Sequence, residues 1–129
     1  MTHQQSSKTM IIIAITLIII AIVTGAFGAH GLKSMVTPER LATWHTAVDY
    51  MMSQGLGLLI ISLLINDSSN RWYKWAQRLV FCGVVIFSGS LYLMVLTDTP
   101  ILGAITPIGG VAMILGWLAL IGYFVKKID

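Results

Sequence analysis

The sequence predicts an all-α fold: a bundle of four transmembrane helices, with a short interfacial helix between the first and second spans. Two observations carry that prediction. Apolar residues make up 57% of the 129 residues and charged residues only 10%, with a mean hydropathy of +0.86. A soluble domain carries about 25% charge to stay dissolved, so a soluble globular enzyme is excluded. Four apolar runs, at about 10–29, 47–65, 79–96 and 105–125, also reach the ~20 residues that a ~30 Å hydrocarbon core demands of a helix. No Lys, Arg or Glu interrupts them, and Asp49 stands only at the entrance of the second. Backbone groups in lipid must bond internally, which leaves helix as the geometry for four single runs.

Residues 1–9 are polar and read as a disordered cytoplasmic tail ahead of a single transmembrane domain, 10–129. The first span opens with the Ile-rich block Met10–Val23. A cleaved signal peptide is the rival reading, with Lys8 as its charged region and Gly25–Ala29 as its cleavage site. Three further spans downstream, and Phe27 and His30 beside the would-be cleavage site, weigh against it.

The first loop carries a helix start at Thr37-Pro38-Glu39: an N-cap, a proline at the first position, and an acid facing the positive end of the dipole. Leu41, Trp44, Val48 and Met51/Met52 follow at spacings of three and four. These residues predict a short helix on the outer membrane surface that bends or continues into the second span. The second loop sets Trp72, Tyr73 and Trp75 beside Arg71 and Lys74, the composition of an interfacial belt.

An even number of spans puts both termini on one side. That side collects Lys8, Arg71, Lys74, Arg78, Lys126 and Lys127, against Lys33 and Arg40 on the other, so both termini are expected in the cytoplasm. The basic residues are scattered, which gives no nucleic-acid surface.

The small and polar residues follow depth. Thr24 to Gly31 close the first span, and Asp49, Tyr50, Ser53, Gln54, Gly55 and Gly57 open the second. Phe87 to Tyr92 lie in the third, and Thr106-Pro107-Ile108-Gly109-Gly110 open the fourth. All four groups fall in the outward half of the bilayer, and the inward half reads as plain Ile/Leu/Val runs. On the simpler reading this is bundle packing, with Gly25, Gly28, Ala29, Gly89, Gly109 and Gly110 allowing close helix approach. On the sharper one, His30, Asp49, Tyr50, Gln54, Ser88, Ser90, Tyr92 and Thr106 line a polar pocket or partner surface.

Catalytic and metal readings fare less well. His45 and Asp49, an i,i+4 pair, fall short of a zinc or copper set even with His30, and a surface hydrogen bond or ion pair is the plainer reading. Ser88 or Ser90 with His30 and Asp49 could spell a hydrolytic triad, but no nucleophile elbow surrounds either serine. The single Cys82 lies mid-span in an apolar setting that keeps a thiol inert. No catalytic residue, metal or cofactor is expected.

The run Gly25-Ala26-Phe27-Gly28-Ala29-His30-Gly31-Leu32-Lys33 resembles the signature of the YgdD-like family of small inner-membrane proteins (domain of unknown function 423). So do Trp44-x-Thr46-Ala47-Val48-x-Tyr50, Phe87-Ser88-Gly89-Ser90-Leu91-Tyr92, and Thr106-Pro107-x-Gly109-Gly110 followed by Gly116-Trp117. The resemblance spans nearly the whole chain and implies a four-span bacterial inner-membrane protein with no assigned reaction. Family members commonly read Tyr-Gln-x-x-His in the second span, where this chain has Tyr50, Met51 and Gln54. Chemistry resting on that histidine therefore does not carry over, whereas glutamine still supports binding or packing.

The function expected first is a non-enzymatic docking, accessory or self-assembling protein, whose partners are the lipid bilayer and a membrane protein or further copies of itself. The alternatives are a small-solute transporter or channel formed by an oligomer, and an outer-leaflet lipid- or quinone-binding protein.

Overall fold

The fold was analysed on a computed structural model, which describes residues 3–128. Four helices follow one another: α1 (His3–Ala29), α2 (Pro38–Leu64), α3 (Arg71–Thr97) and α4 (Thr106–Ile128). All four contain stretches long and apolar enough to cross a membrane. Short 3₁₀ turns at Leu32–Ser34 and Pro100–Ala104 occupy the first and third connections, and the described residues contain no strand. The termini and the α2–α3 connection share one end, called here the terminal end; the two 3₁₀ turns lie at the loop end.

The helix limits depart from the sequence reading in three places. α1 starts at His3, so residues 3–9 are helical rather than a disordered tail, and residues 1 and 2 lie outside the described residues. No Gly or Pro breaks that stretch, and the Thr9 hydroxyl donates to the Gln5 carbonyl at 2.9 Å along the helix. A separate interfacial helix does not form: α2 is one 27-residue helix from Pro38, the continuing alternative of the sequence reading. Its start is as expected, with the Thr37 hydroxyl accepting from the Arg40 amide at 3.3 Å. At 1.5 Å per residue α2 runs about 40 Å, some 10 Å more than a hydrocarbon core, so its first turns stand at the boundary. α3 begins at Arg71 rather than 79, because the Asn70 side chain caps the amides of Trp72 and Tyr73 at 2.9 and 3.2 Å.

Packing sorts the helices into two hairpins. Within α1–α2, Gly25 faces Val48, Gly28 faces Trp44 and Gly55 faces Leu17 and Ile18. Within α3–α4, Gly83 and Gly109 meet each other's backbone, Gly116 faces Val80, and Gly122 lies under Trp72. Lipid tails are as apolar as leucine, so close backbone approach rather than hydrophobic burial drives such contacts. The hairpins join along α2 and α3, where Leu58, Ile61, Tyr73, Val80 and Val84 form the buried centre. Among the described residues no comparable packing joins α1 to α4.

Candidate functional site

At the loop end the sequence places hydroxyls and aromatics on facing helices, and they bond across the bundle. Trp44 is buried over Gly28 and donates its indole N–H to the Thr24 carbonyl at 2.8 Å. The Thr24 hydroxyl donates to the Ile20 carbonyl at 2.7 Å, so its 2.7 Å bond with Tyr92 has the phenol as donor. The Tyr92 ring packs edge-on against Trp44 at 4.6 Å. Ser88, fully buried on α3, donates to the Ala47 carbonyl of α2 at 2.7 Å. The Ser90 hydroxyl donates to the Phe87 carbonyl at 2.9 Å, so Thr106 donates to Ser90 across the 2.6 Å gap between α3 and α4.

Four of the eight residues expected to line a pocket are therefore staples: Ser88, Ser90, Tyr92 and Thr106 are committed to partners inside the bundle. His30 and Asp49 are exposed and do not join them. The hydrolytic arrangement is consequently not assembled, since both serine hydroxyls are spent on carbonyl oxygens away from His30 and Asp49. His45 and Asp49, read as a surface pair, form no ion pair among the described residues. No group of three His, Cys, Asp or Glu side chains able to hold a metal occurs among them either.

Tyr50 and Gln54 do share a concave surface. With Phe87, Gly110, Met113, Ile114 and Trp117 they line a crevice of about 210 Å³ between α2, α3 and α4. The Tyr50 ring lies 4.4 Å from Phe87, and the Trp117 indole donates to the Gln54 carboxamide oxygen at 2.6 Å. The rest of the free face of α2 divides by depth. His45, Thr46, Asp49 and Ser53 are exposed in its loop-end half, and Leu56, Ile60, Leu63 and Leu64 in its terminal half. Thr46 and Ser53 bond to carbonyls of their own helix, which hides their protons but leaves the Asp49 carboxylate outward, while the His45 imidazole edge lies against Gly28 of α1.

Of the glycines expected at helix contacts, Gly25, Gly28 and Gly109 are there, and Gly110 is in ordinary contact with the Phe87 ring at 3.8 Å. Gly89 and Ala29 are not. A methyl at Gly89 would meet nothing within 4 Å, because that position turns outward with Cys82, Val85 and Leu93. Ala29 is exposed at the end of α1.

The terminal half is less plain than its sequence. Gln77, buried on α3, donates to the Ser62 hydroxyl at 3.1 Å and to the Tyr73 phenol at 2.9 Å, and Tyr73 donates to the Ile61 carbonyl at 3.1 Å. Below them the Tyr123 phenol donates to Asp67 at 3.1 Å, and Lys127 pairs with the same carboxylate at 3.0 Å. The Lys127 hydrogen bond holds the Asp67 carboxyl below its ordinary value. Arg40 was also missed as a structural residue: from the first turn of α2 it donates to the Val95 carbonyl and approaches Asp98 at 3.7 Å. A readable signal was its place opposite Asp98, the acid that closes α3 in a left-handed conformation.

Comparison with known proteins places this architecture. The family model described as "protein of unknown function (DUF423)" matches residues 24–110. A UPF0382 membrane protein of Staphylococcus epidermidis is 48% identical over 114 residues, covering 88% of this chain and 93% of its own. The UPF0382 membrane protein YwdK of Bacillus subtilis is 42% identical over 120 residues, covering 92% and 98%. The chain belongs to the DUF423 family. No solved structure matches it. Its relatives are bacterial membrane proteins by name, and with its four apolar helices the chain is likewise an integral membrane protein. The stretch matched by the family model holds the Trp44–Thr24–Tyr92 cluster, the Ser88 and Ser90 staples, and the exposed polar face of α2.

Proposed function

We propose that this DUF423 protein is a non-enzymatic docking protein of the bacterial inner membrane, which binds a membrane-protein partner or another copy of itself through the loop-end half of the free face of α2. One observation carries the reading: Asp49 is exposed in the loop-end half of α2 and pairs with no basic group among the described residues. Counting about 20 core residues back from Leu64 puts Asp49 about one turn inside the hydrocarbon boundary. Aspartate costs about 2.5–3.5 kcal/mol at the centre of a membrane helix on insertion scales and less one turn inside the boundary, and ionisable groups at membrane depth face a cavity or pair with one another. A partner helix that supplies a donor or a basic group relieves that cost. The excess of basic residues at the terminal end supports both termini in the cytoplasm, with the docking surface toward the outer leaflet.

The test is chemical cross-linking in native membranes followed by native mass spectrometry, comparing wild type with Asp49→Leu and with Ile60→Val on the apolar half. Docking predicts a companion or second copy that Asp49→Leu releases and Ile60→Val retains. A wild type without companions, or an Asp49→Leu variant that keeps them all, would overturn the reading.

The Tyr50–Gln54 crevice favours a second reading, an outer-leaflet amphiphile site. It sets Tyr50 and Gln54 beside apolar Phe87, Met113 and Ile114. A non-bulk adduct retained by wild type and lost in Gln54→Ala would favour it over docking.

A further inference from the structure

A second cleft lies at the terminal end, away from the polar loop-end half of α2. Arg71, Trp72, Trp75 and Ala119 line a space of about 410 Å³ between the start of α3 and the second half of α4. Trp72 forms one wall because Gly122 of α4 has no side chain, and a methyl there would stand 2.6 Å from the indole ring. Ala119 lies nine residues before the end of α4 at Ile128, about 13 Å up the helix. The cleft therefore runs from an arginine at the membrane boundary to a small apolar floor within the hydrocarbon, the polarity profile of a phospholipid.

Charge selects which phospholipid. Asp67, the described carboxylate of this end, is occupied by Lys127. Lys8, Arg71, Lys74, Arg78 and Lys126 then have no ion pair among the described residues. One of these charges, Arg71, lines the cleft together with Trp72 and Trp75. A guanidinium presents two parallel N–H donors that match phosphate geometry, and basic pockets between membrane helices recognise anionic headgroups this way.

We propose that this cleft binds one anionic phospholipid of the leaflet facing the termini. Arg71 holds the phosphate, Trp72 and Trp75 flank the glycerol and first methylenes, and Ala119 leaves room for an acyl chain. The site is independent of docking through α2, since the two surfaces lie at opposite ends and share no residue.

The experiment uses the full chain, delipidated in mild detergent and offered equal amounts of phosphatidylglycerol and phosphatidylcholine with identical chains. Bound lipid is counted by native mass spectrometry. One phosphatidylglycerol should be retained in about five- to tenfold preference, the scale expected for one basic group at a membrane surface. Arg71→Gln should bring the preference close to unity. Lys74→Gln removes the same charge from the same helix but outside the cleft lining, and should leave the preference within about twofold. Arg71→Lys keeps the charge without the paired donors and should lower the preference part-way; it carries the test should Arg71→Gln not fold. Equal retention of the two lipids overturns the proposal. So does an equal effect of Lys74→Gln and Arg71→Gln, which means a diffuse basic belt. Displacement of the lipid by excess inorganic phosphate alone overturns it too, since the ligand is then a free anion.

Discussion

Replacing Gly109 by alanine tests whether the α3–α4 hairpin is held by backbone contact. A methyl there would lie 2.6 Å from the Gly83 carbonyl oxygen and closer still to the Phe87 amide, both rigid backbone. Ordinary contact begins near 3.4 Å, so the helices must part by at least about 0.8 Å around this point. A gap of 0.5–1 Å forfeits a quarter to a half of each van der Waals contact across it, and with tens of atom pairs at ~0.1–0.2 kcal/mol the loss is about 1–3 kcal/mol. Gly89→Ala is the control, because its methyl meets nothing within 4 Å. Both changes gain the same ~0.5–1 kcal/mol of reduced backbone freedom in a helix, so that contribution cancels between them. Gly109→Ala is therefore expected to be less stable than Gly89→Ala by about 1–3 kcal/mol. The assay is equilibrium unfolding of the purified chain in mixed detergent micelles with increasing dodecyl sulfate, followed by circular dichroism. Equal stability within about 0.3 kcal/mol would refute the claim that glycine contact builds this hairpin.

Three further predictions concern single polar contacts. In a double-mutant cycle, Gln54→Leu and Trp117→Phe should show a coupling of about 0.6–1.7 kcal/mol in the same unfolding assay, the range found for hydrogen bonds between membrane helices; a coupling of zero means the 2.6 Å bond contributes nothing net. Arg40→Met should lower stability by about 1.5–3 kcal/mol, because it removes a charge-assisted bond to the Val95 carbonyl and the Asp98 pair, and Asp98→Asn should cost less. The Asp67–Lys127 pair should make stability depend on acid: with the folded carboxyl below its ordinary value, the folded state binds fewer protons than the unfolded state. The contribution is then full above the ordinary value of 3.8 and is lost as pH falls through 3.8 toward the folded pKa, so the thermal midpoint of wild type should drop more steeply there than that of Asp67→Asn.

The spans were legible because lipid enforces a length and a composition that any window of sequence displays. Rotation about each helix axis was not. Ser53 and Gln54 are neighbours in sequence, yet Ser53 faces out and bonds its own helix while Gln54 receives the Trp117 indole. Gly89 and Gly109 look alike as small residues in outer-half motifs, but one faces lipid and the other a backbone. The terminal-half network escaped because Ser62 and Gln77 are fifteen residues apart on different helices, with nothing in the sequence to mark them as opposite. In a membrane chain the hydrophobic pattern fades, since both faces are apolar, and with it goes the signal that shows orientation in a soluble helix.

What those hidden orientations build is a division of labour. Glycine contacts lie mainly within the hairpins, α1 with α2 and α3 with α4, with Gly57 against Trp117 as the exception. The bonds Thr24–Tyr92, Arg40–Val95, Ser88–Ala47, Gln54–Trp117, Gln77–Ser62 and Tyr73–Ile61 run between the hairpins, whereas Trp44–Thr24 and Ser90–Thr106 lie within them. A glycine contact is short-ranged but tolerates sliding along a groove, whereas a hydrogen bond weakens steeply with angle and distance. Directional bonds are therefore what set the register of one hairpin against the other. The same reasoning gives Asp49 its meaning: a chain that commits its interior polar side chains to internal partners at both ends leaves a carboxylate outward on α2, in the half where a second membrane helix could complete the pairing.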